Sequence, residues 1–322
     1  MSTPHKKYRL LTRSDFDGLV CAILLKEMDI LGDIKFVHPK DMQDGNIDVT
    51  TSDILTNLPY AKGCHLCFDH HASEETRNHG EAAENHILRA GVDSAARVVY
   101  DYYGGRERFT AISDEIMTAV DKADSAKFDR DDILDPHGWV LLSFLMDART
   151  GLGRFHDFRV SNYDLMMDLI EYCRDHGIDE ILALPDVQER VNVYMQHRDK
   201  AVDQIRRCST EFDNLVVLDL RDEETIFATN RFTIYSLFPE CNISIHVMWG
   251  KLKQNTVFTI GKSILDRSCT TDIGELCLEY GGGGHPAAGT CQIQHEDAER
   301  SLGEIIARIG HDAGVASNPA LA

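Results

Sequence analysis

The sequence predicts an α/β protein of two domains, a parallel-sheet domain followed by a smaller mixed-sheet domain, joined by a helical connector. Three observations carry this. With 322 residues, 43% of them hydrophobic and 27% charged, the chain is long enough for two cores, since domains commonly run to roughly 100–200 residues. Strand and helix patterns alternate through the first half, as in a parallel, doubly wound sheet. A long helical pattern from Val187 to Glu211 then precedes a strand-rich C-terminal part. The expected divisions are 1–195, a connector at 196–213, a second domain at 214–315 and a tail at 316–322.

Taken in order, Tyr8–Thr12 is an apolar strand, Gly18–Met28 an amphipathic helix and Ile34–His38 a second strand; short strands follow at Asp53–Thr56 and His65–Phe68. Helices are expected at Ser94–Tyr103, with Ser94 as the cap, at Asp114–Ala123, just before Asp124, and at Gly138–Leu145. Tyr163–Ala183 and Val187–Glu211 have helical apolar spacing. The C-terminal part holds strands at Leu215–Leu218, Ile243–Trp249 and Thr256–Lys262, and helices at Ile273–Tyr280 and Glu296–Ile309. The last dozen residues are small and polar, composition typical of a frayed end.

Composition narrows the function. No apolar run approaches the roughly 20 residues of a membrane helix, and the opening MSTPHKKYRLL has no apolar core of a secretory signal, so the expected location is the cytoplasm. Nine cysteines at irregular spacing are expected as reduced thiols, and Cys64 and Cys67, in a strand-like CHLCF, as core residues and not a zinc site. A formal charge of −20 argues against binding of duplex nucleic acid. Small anionic substrates remain, because clustered aspartates can hold divalent cations.

The polar clusters fall where such a sheet binds ligands, after the carboxyl ends of its strands. Ser14-Asp15-Phe16-Asp17-Gly18 follows the first strand, Asn57 the third, and Asp69-His70-His71 the fourth. Asp15 and Asp17 flanking a turn would by themselves be a helix cap. Asp-His-His at a second strand edge is hard to explain by packing, and mixed Asp and His donors suit Mn, Fe or Zn better than Ca. Near the C-terminus, Gly281–Gly284 before His285 would let backbone N–H groups approach an anion, with Pro286 stiffening the exit. Simple loop flexibility would explain the glycines but not the His-Pro-Ala-Ala-Gly that follows.

These strings resemble the motifs of the DHH phosphoesterase superfamily, and the resemblance spans nearly the whole chain. SDFDG matches its first motif, FDHH (Phe68–His71) its signature and VDKADSAKF (Val120–Phe128) its later Asp motif; GGGGHPAAG (Gly281–Gly289) is similar to the hallmark of the DHHA1 domain. The branch includes oligonucleotide and cyclic-dinucleotide phosphodiesterases, RecJ-type exonucleases and exopolyphosphatase-like proteins. The resemblance implies a DHH catalytic domain and a DHHA1 substrate domain. It places Asp15 in one metal subsite and Asp17, His70 and Asp124 in the other, with Asp69 orienting or binding at the edge and His71 facing the substrate phosphate. SILDRS (Ser263–Ser268) resembles a substrate-binding segment, making Arg267 and Ser268 contacts for a distal phosphate or base, completed by Gly282, Gly283, Gly284 and His285.

Two departures weaken the first subsite. The family's His before the first Asp is absent from Leu11-Thr12-Arg13-Ser14, and Asn57 stands where a bridging Asp is expected. A neutral amide is a much poorer bridge between cations than a carboxylate. Arg13 could supply the missing positive charge to a phosphate, or simply pair with a neighbouring Asp at the sheet edge. The segment Trp139–Phe155 is expected to be a surface connection in preference to a lid, and His65, His79, His156 and His246 to be structural or exposed.

The expected function is therefore hydrolysis of a small phosphodiester or phosphoanhydride, such as a short oligonucleotide, cyclic dinucleotide or polyphosphate. The expected cofactor is one or two divalent ions, Mn preferred and Mg allowed. Partners would be a small phosphorylated substrate or short single-stranded oligonucleotide, with no duplex and no membrane; a homodimer is compatible. The alternatives are a catalytically weak or silent nucleotide or polyphosphate sensor, or a scaffold that keeps only the fold.

Overall fold

The computed structural model describes residues 6–71, 83–155 and 157–316. Two compact units result: 1–127 with 136–194, and 128–135 with 195–322. The histidines at 79 and 156 lie outside the described residues, as does the end of the tail from 317.

The first unit is built on a wholly parallel sheet of β1 (Tyr8–Thr12), β2 (Leu31–Phe36), β3 (Asp53–Thr56), β4 (Leu66–Asp69) and β5 (His86–Leu88), in the order β2-β1-β3-β4-β5. The chain steps outward to β2 and then crosses back beyond β1 to β3. That reversal makes the β1/β3 boundary a topological switch point, where the loops leaving neighbouring strands part and open a crevice. Register brings Thr12 level with Thr56, and Thr56 level with Phe68, so the turns carrying Asp15, Asn57 and Asp69 leave the sheet side by side.

The helices of this unit are α1 (Phe16–Glu27), α2 (Pro39–Gln43), α3 (Ala95–Tyr102), α4 (Asp114–Asp124) and, beyond α5 (Arg130–Leu134) of the second unit, α6 (Gly138–Met146), α7 (Asn162–Asp175), α8 (Ile178–Leu182) and the start of α9 (Pro185–Cys208). The expected amphipathicity of α1 is corrected: Phe16 through Leu25 are all buried. It packs on β1 and β2 and against α3, α4 and α7, and a helix covered all round needs apolar residues all round. Gly18 is required there, because a Cβ would lie 1.9 Å from the Arg13 carbonyl oxygen. The expected continuous helix Tyr163–Ala183 is two helices. The break falls at Gly177, whose N–H donates to Glu180 Oε2 at 3.1 Å and so starts α8. Cys64 and Cys67 sit in a core cluster with Leu11, Leu55 and Leu58, and burial lifts the Cys64 thiol to about 11.

The second unit holds the rest of α9, a mixed sheet of β6 (Ser209–Phe212), β7 (Leu215–Asp219), β8 (Ile243–Trp249), β9 (Thr256–Lys262), β10 (Gly283–His285) and β11 (Ala288–Ile293), and helices α10 (Thr233–Leu237), α11 (Ile273–Glu279) and α12 (Ala298–Ala316). The sheet order is β10-β11-β9-β8-β7-β6, with β7 and β8 parallel and all other pairs antiparallel. Its core joins Ile243, Ile245, Phe258 and Ile260 to Ile273 and Ile305. Expected as helix, residues 209–211 are strand. Ser209-Thr210-Glu211-Phe212 pairs with β7 through a tight turn at Asp213, φ 51°, and β-branched and aromatic residues favour that state. α5 docks on α10 through Asn230 Nδ2, which donates to the Ile133 carbonyl at 2.9 Å. Among the described residues no helix is long and apolar enough to cross a membrane.

Candidate metal centre

Four turns at the carboxyl edge of the first sheet, together with the end of α4, set the site. Asp15 caps α1, its Oδ1 accepting from the Gly18 N–H at 3.0 Å. The helix-cap reading is therefore correct for Asp15. Asp17 is different: it is buried, and its two oxygens accept from Ala95 N at 3.0 Å and Ala96 N at 2.7 Å. Those amides are the unpaired N–H groups at the start of α3, where helix ends favour negative charge.

Asp17, His70 and Asp124 each offer one donor atom, and these lie within 4.8 Å of one another. His70 comes from the turn after β4; its Nδ1 is 3.0 Å from the Val92 carbonyl oxygen. A carbonyl only accepts, so Nδ1 carries the proton and the neutral ring presents its lone pair at Nε2, the arrangement common to metal-binding histidines. Nε2 lies 2.9 Å from Asp124 Oδ2, yet without the alignment of a hydrogen bond. Asp124 closes α4, where the helix dipole is itself negative.

The electrostatics are those of a site lacking positive charge. Burial lifts the Asp17 carboxyl well above the usual range, and the Asp124 charge adds to the effect. Burial also raises Asp15, partly offset by Arg13. For His70, burial lowers the pKa but adjacent Asp124 and Asp17 outweigh it and lift it to about 10; the same contact holds Asp124 below its ordinary value against its burial. Among the described residues, three buried lone-pair atoms at this edge also lack a hydrogen-bond partner: Asn57 Oδ1, Asp69 Oδ2 and His70 Nε2. Buried acceptors left unpaired are costly. Two carboxylates, an imidazole and orphaned acceptors fit a divalent cation.

Asp15 and Asp69 fall outside this trio. Asp15 meets donors instead: Arg13 Nε at 3.0 Å and Asn57 Nδ2 at 3.2 Å. Arg13 thus pairs with a neighbouring Asp, and that Asp belongs to the site. Asn57 is buried at φ 53°, a conformation Asn tolerates. Below them the buried hydroxyls of Thr12 and Thr56 are 2.7 Å apart, tying β1 to β3. Asp69 Oδ1 accepts from His70 N at 2.8 Å and His71 N at 3.2 Å, and lies 2.6 Å from His71 Nδ1.

Arg149 was not singled out by sequence. It stands on the turn Ala148–Thr150 after α6, paired to Asp147 Oδ1 at 2.7 Å. Its side chain is partly exposed; desolvation works against its charge, but Asp147, then Asp15 and Asp124, hold it above the ordinary guanidinium value. The only linear hint was a pair of arginines among glycines in Trp139–Phe155, which the structure resolves as two short 3₁₀ turns about Gly151, φ 87°.

In the second unit the Gly-rich segment is the β10–β11 hairpin. Its glycines answer packing: a Cβ on Gly282 would meet Thr290 O at 2.1 Å, and one on Gly284 would meet Ala288 O at 2.3 Å. Gly283 has open space, and His285 is exposed at the hairpin end. Ser268 Oγ accepts from Asn242 Nδ2 at 2.8 Å, and Arg267 is exposed on the same turn. His65 stacks on Tyr8 with centroids 4.0 Å apart; burial lowers His246 to about 4.

No protein-family profile and no curated protein matches the chain. Solved structures do. The pGpG-specific phosphodiesterase PggH from Vibrio cholerae is 57% identical, with a TM-score of 0.80 over 95% of this chain and 100% of that one. An exopolyphosphatase-related protein from Bacteroides fragilis shares the fold at 12% identity and a TM-score of 0.54, over 94% and 92%. RecJ from Thermus thermophilus, in complex with Mn2+, shares it at 13% and 0.51, over 95% of this chain and 52% of that one. Identity at this level across nearly the full chain, on a parallel sheet with an Asp-His-Asp cluster at its switch point, makes the chain a member of the DHH phosphoesterase superfamily, hydrolases of phosphate esters.

Proposed function

We propose that the chain is a cytoplasmic phosphodiesterase that cleaves pGpG or a closely similar short single-stranded oligonucleotide with one divalent cation, Mn in preference to Mg. The observation that carries it is the convergence of Asp17, His70 and Asp124, joined to high identity with a pGpG-specific enzyme. Nine free thiols agree with a reducing compartment, and the charge of −20 disfavours long duplexes.

When bound, a divalent cation supplies Lewis-acid polarisation of the phosphate and makes water nucleophilic at neutral pH. Asp17, His70 and Asp124 would hold it. The chain's own groups do the rest. Asp69 holds the Nδ1 side of His71, an orientation role like that of a triad carboxylate that supports our reading of Nε2 as the atom facing the substrate phosphate. Arg13 and Arg149 supply positive charge on the Asp15 side, where Asn57 stands at the position expected for a bridging carboxylate; guanidinium groups bind phosphate oxygens in pairs. In the second unit the turn of Arg267 and Ser268 and the hairpin of Gly282, Gly283, Gly284 and His285 are the proposed substrate contacts, although the Gly282 N–H itself donates to the Cys277 carbonyl at 2.9 Å.

The test is chromatography of pGpG incubated with chain stripped by chelator and reloaded with Mn. GMP should appear only after reloading, and faster than AMP from pApA. Absence of GMP from protein shown to carry metal would sink the proposal.

A further inference from the structure

The segment from Val92 to Arg97, which leads into α3, reaches all three groups proposed to hold the cation. The Val92 carbonyl oxygen lies 3.0 Å from His70 Nδ1. The N–H groups of Ala95 and Ala96 donate to Asp17. Asp124 is reached indirectly, through Asp121, three residues earlier on α4. Ser94 Oγ donates to Asp121 Oδ1 at 2.7 Å, and Arg97 donates to Oδ2 from Nε at 2.9 Å and from Nη2 at 2.6 Å.

These bonds leave the Asp121 carboxylate little freedom. Ser94 is fully buried, and its hydroxyl has a single proton to give. That proton goes to Asp121, while the oxygen accepts from Arg97 N at 3.0 Å and caps α3. The start of α3 and the end of α4 are thus tied by a hydroxyl bridge and a charge-assisted pair, the stronger class of hydrogen bond. The Asp121 carbonyl in turn accepts from Ser125 N at 3.2 Å and Ser125 Oγ at 2.6 Å, closing the helix just past Asp124. Residues three apart on a helix are neighbours on its surface, so the anchored Asp121 fixes the turn from which Asp124 projects. Asp17 is held directly by two amides. Among the described residues no amide or hydroxyl hydrogen-bonds the Asp124 carboxylate, whose near neighbour is His70 Nε2 at 2.9 Å. Its place depends on the end of α4.

We propose that Asp121 is a positioning residue: clamped by Ser94 and Arg97, it sets the last turn of α4 so that Asp124 stands opposite Asp17 and His70. Donor atoms must be held to about 0.5 Å to bind well, and groups that orient metal ligands typically change metal affinity about 10–100-fold. An ion pair that only glued two helices would contribute to folding and leave the folded chain's affinity for metal unaltered. The inference rests on the proposed cation at Asp17, His70 and Asp124, and it adds what brings the third donor to it.

The test compares Asp121→Asn with Arg9→Met in the full chain. Arg9 Nε donates to Asp53 Oδ1 at 2.7 Å where β1 and β3 begin, at the opposite edge of the sheet, so its loss reports the effect of a similar pair far from the cluster. Chelator-stripped proteins, shown folded by their urea curves, are titrated with Mn2+; calorimetry reads the affinity and electron paramagnetic resonance the symmetry around the bound ion. Asp121→Asn should weaken Mn2+ binding about 10–100-fold and change the line shape, and Arg9→Met should do neither. Arg97→Met should act in the same direction, and adding it to Asp121→Asn should cost little more, because both remove the same bonds. If Asp121→Asn does not fold, Arg97→Met carries the same comparison. Unchanged Mn2+ affinity in the folded variants overturns the inference, and so does an equal loss in Arg9→Met. Mn2+ binding that survives Asp124→Ala overturns it together with the proposed cation site. If Mn2+ binding needs Asp124 and weakens in Asp121→Asn, yet the natural chain cleaves no pGpG, the positioning role stands and the proposed hydrolysis fails.

Discussion

Asn57 Nδ2 faces both carboxylate oxygens of Asp15, at 3.2 and 3.4 Å. Where two carboxylates would need a cation between them, an amide donor and the Arg13 guanidinium already neutralise Asp15. Asn57→Asp keeps a side chain that tolerates positive φ and replaces the donor with a second anion. Calorimetry with Mn should then count two ions per chain in the variant and one in the natural protein. Without metal the variant should unfold at lower urea concentration, by about 1–3 kcal/mol, because a buried hydrogen bond is lost and two buried anions face each other. An unchanged stoichiometry would show that the Asp15 subsite is closed by more than Asn57.

In the proposed mechanism Arg149 acts through its charge, which Asp147, Asp15 and Asp124 sustain. Arg149→Ala should lower kcat/KM for pGpG by about 10²-fold, the usual effect of removing one group that stabilises developing charge. Arg149→Lys should recover only part, since a lysine cannot present a paired fork to phosphate. Metal affinity should not fall in either variant, because the guanidinium is not a metal donor and its removal leaves the carboxylates more anionic. Loss of Mn binding would assign Arg149 to the architecture of the site instead.

How much of this was legible in the sequence depends on the range of the interaction. β1, β3, β8 and β9 have their expected bounds because strand patterning is local, and the Ser94 cap is visible because the hydrogen bond that defines it comes from Arg97 N, three residues on. Asp15 and Asp17 look alike in a linear reading. Only the docking of α3, some eighty residues on, makes Asp17 the buried one. The same limit hid Arg149, which meets Asp15 and Asp124 only after α6 packs, and the pairing of β6 with β7, which turned the end of an expected helix into a strand. The glycines of the hairpin point to anion binding in a linear reading, whereas their close contacts with the facing strand show that packing by itself requires Gly282 and Gly284.

Asp69 has two duties that a pair of variants can separate. Its Oδ1 anchors the backbone N–H groups of His70 and His71 and orients the His71 ring. Asp69→Asn keeps an acceptor for the backbone and removes the charge that sets the ring's proton on Nδ1. Hydrolysis should fall by about 10²-fold or more, the range for acid–base and orienting groups, while thermal stability changes little. Asp69→Ala should lose activity to the same degree and also about 1.5–3 kcal/mol of stability through the lost charged hydrogen bonds. Equal stabilities of the two variants would show that the backbone contacts are not what Asp69 contributes to the fold.

His246 gives the fold a pH dependence separate from the metal centre. It lies on β8 between Leu218 and Thr259, and burial lowers its pKa to about 4 from an ordinary 6.5. The folded state therefore prefers the neutral ring. Above pH 6.5 both states are neutral there and the contribution is constant. As pH falls from 6.5 toward 4, the unfolded chain takes up the proton first and stability drops, by at most about 3 kcal/mol for a shift of this size. His246→Gln removes the titration and keeps a polar side chain. Urea midpoints of the two proteins, compared between pH 7.5 and 4.5 in chelator so that metal release is common to both, should converge as pH falls. Parallel curves would mean that the His246 ring is solvated well enough to protonate in place.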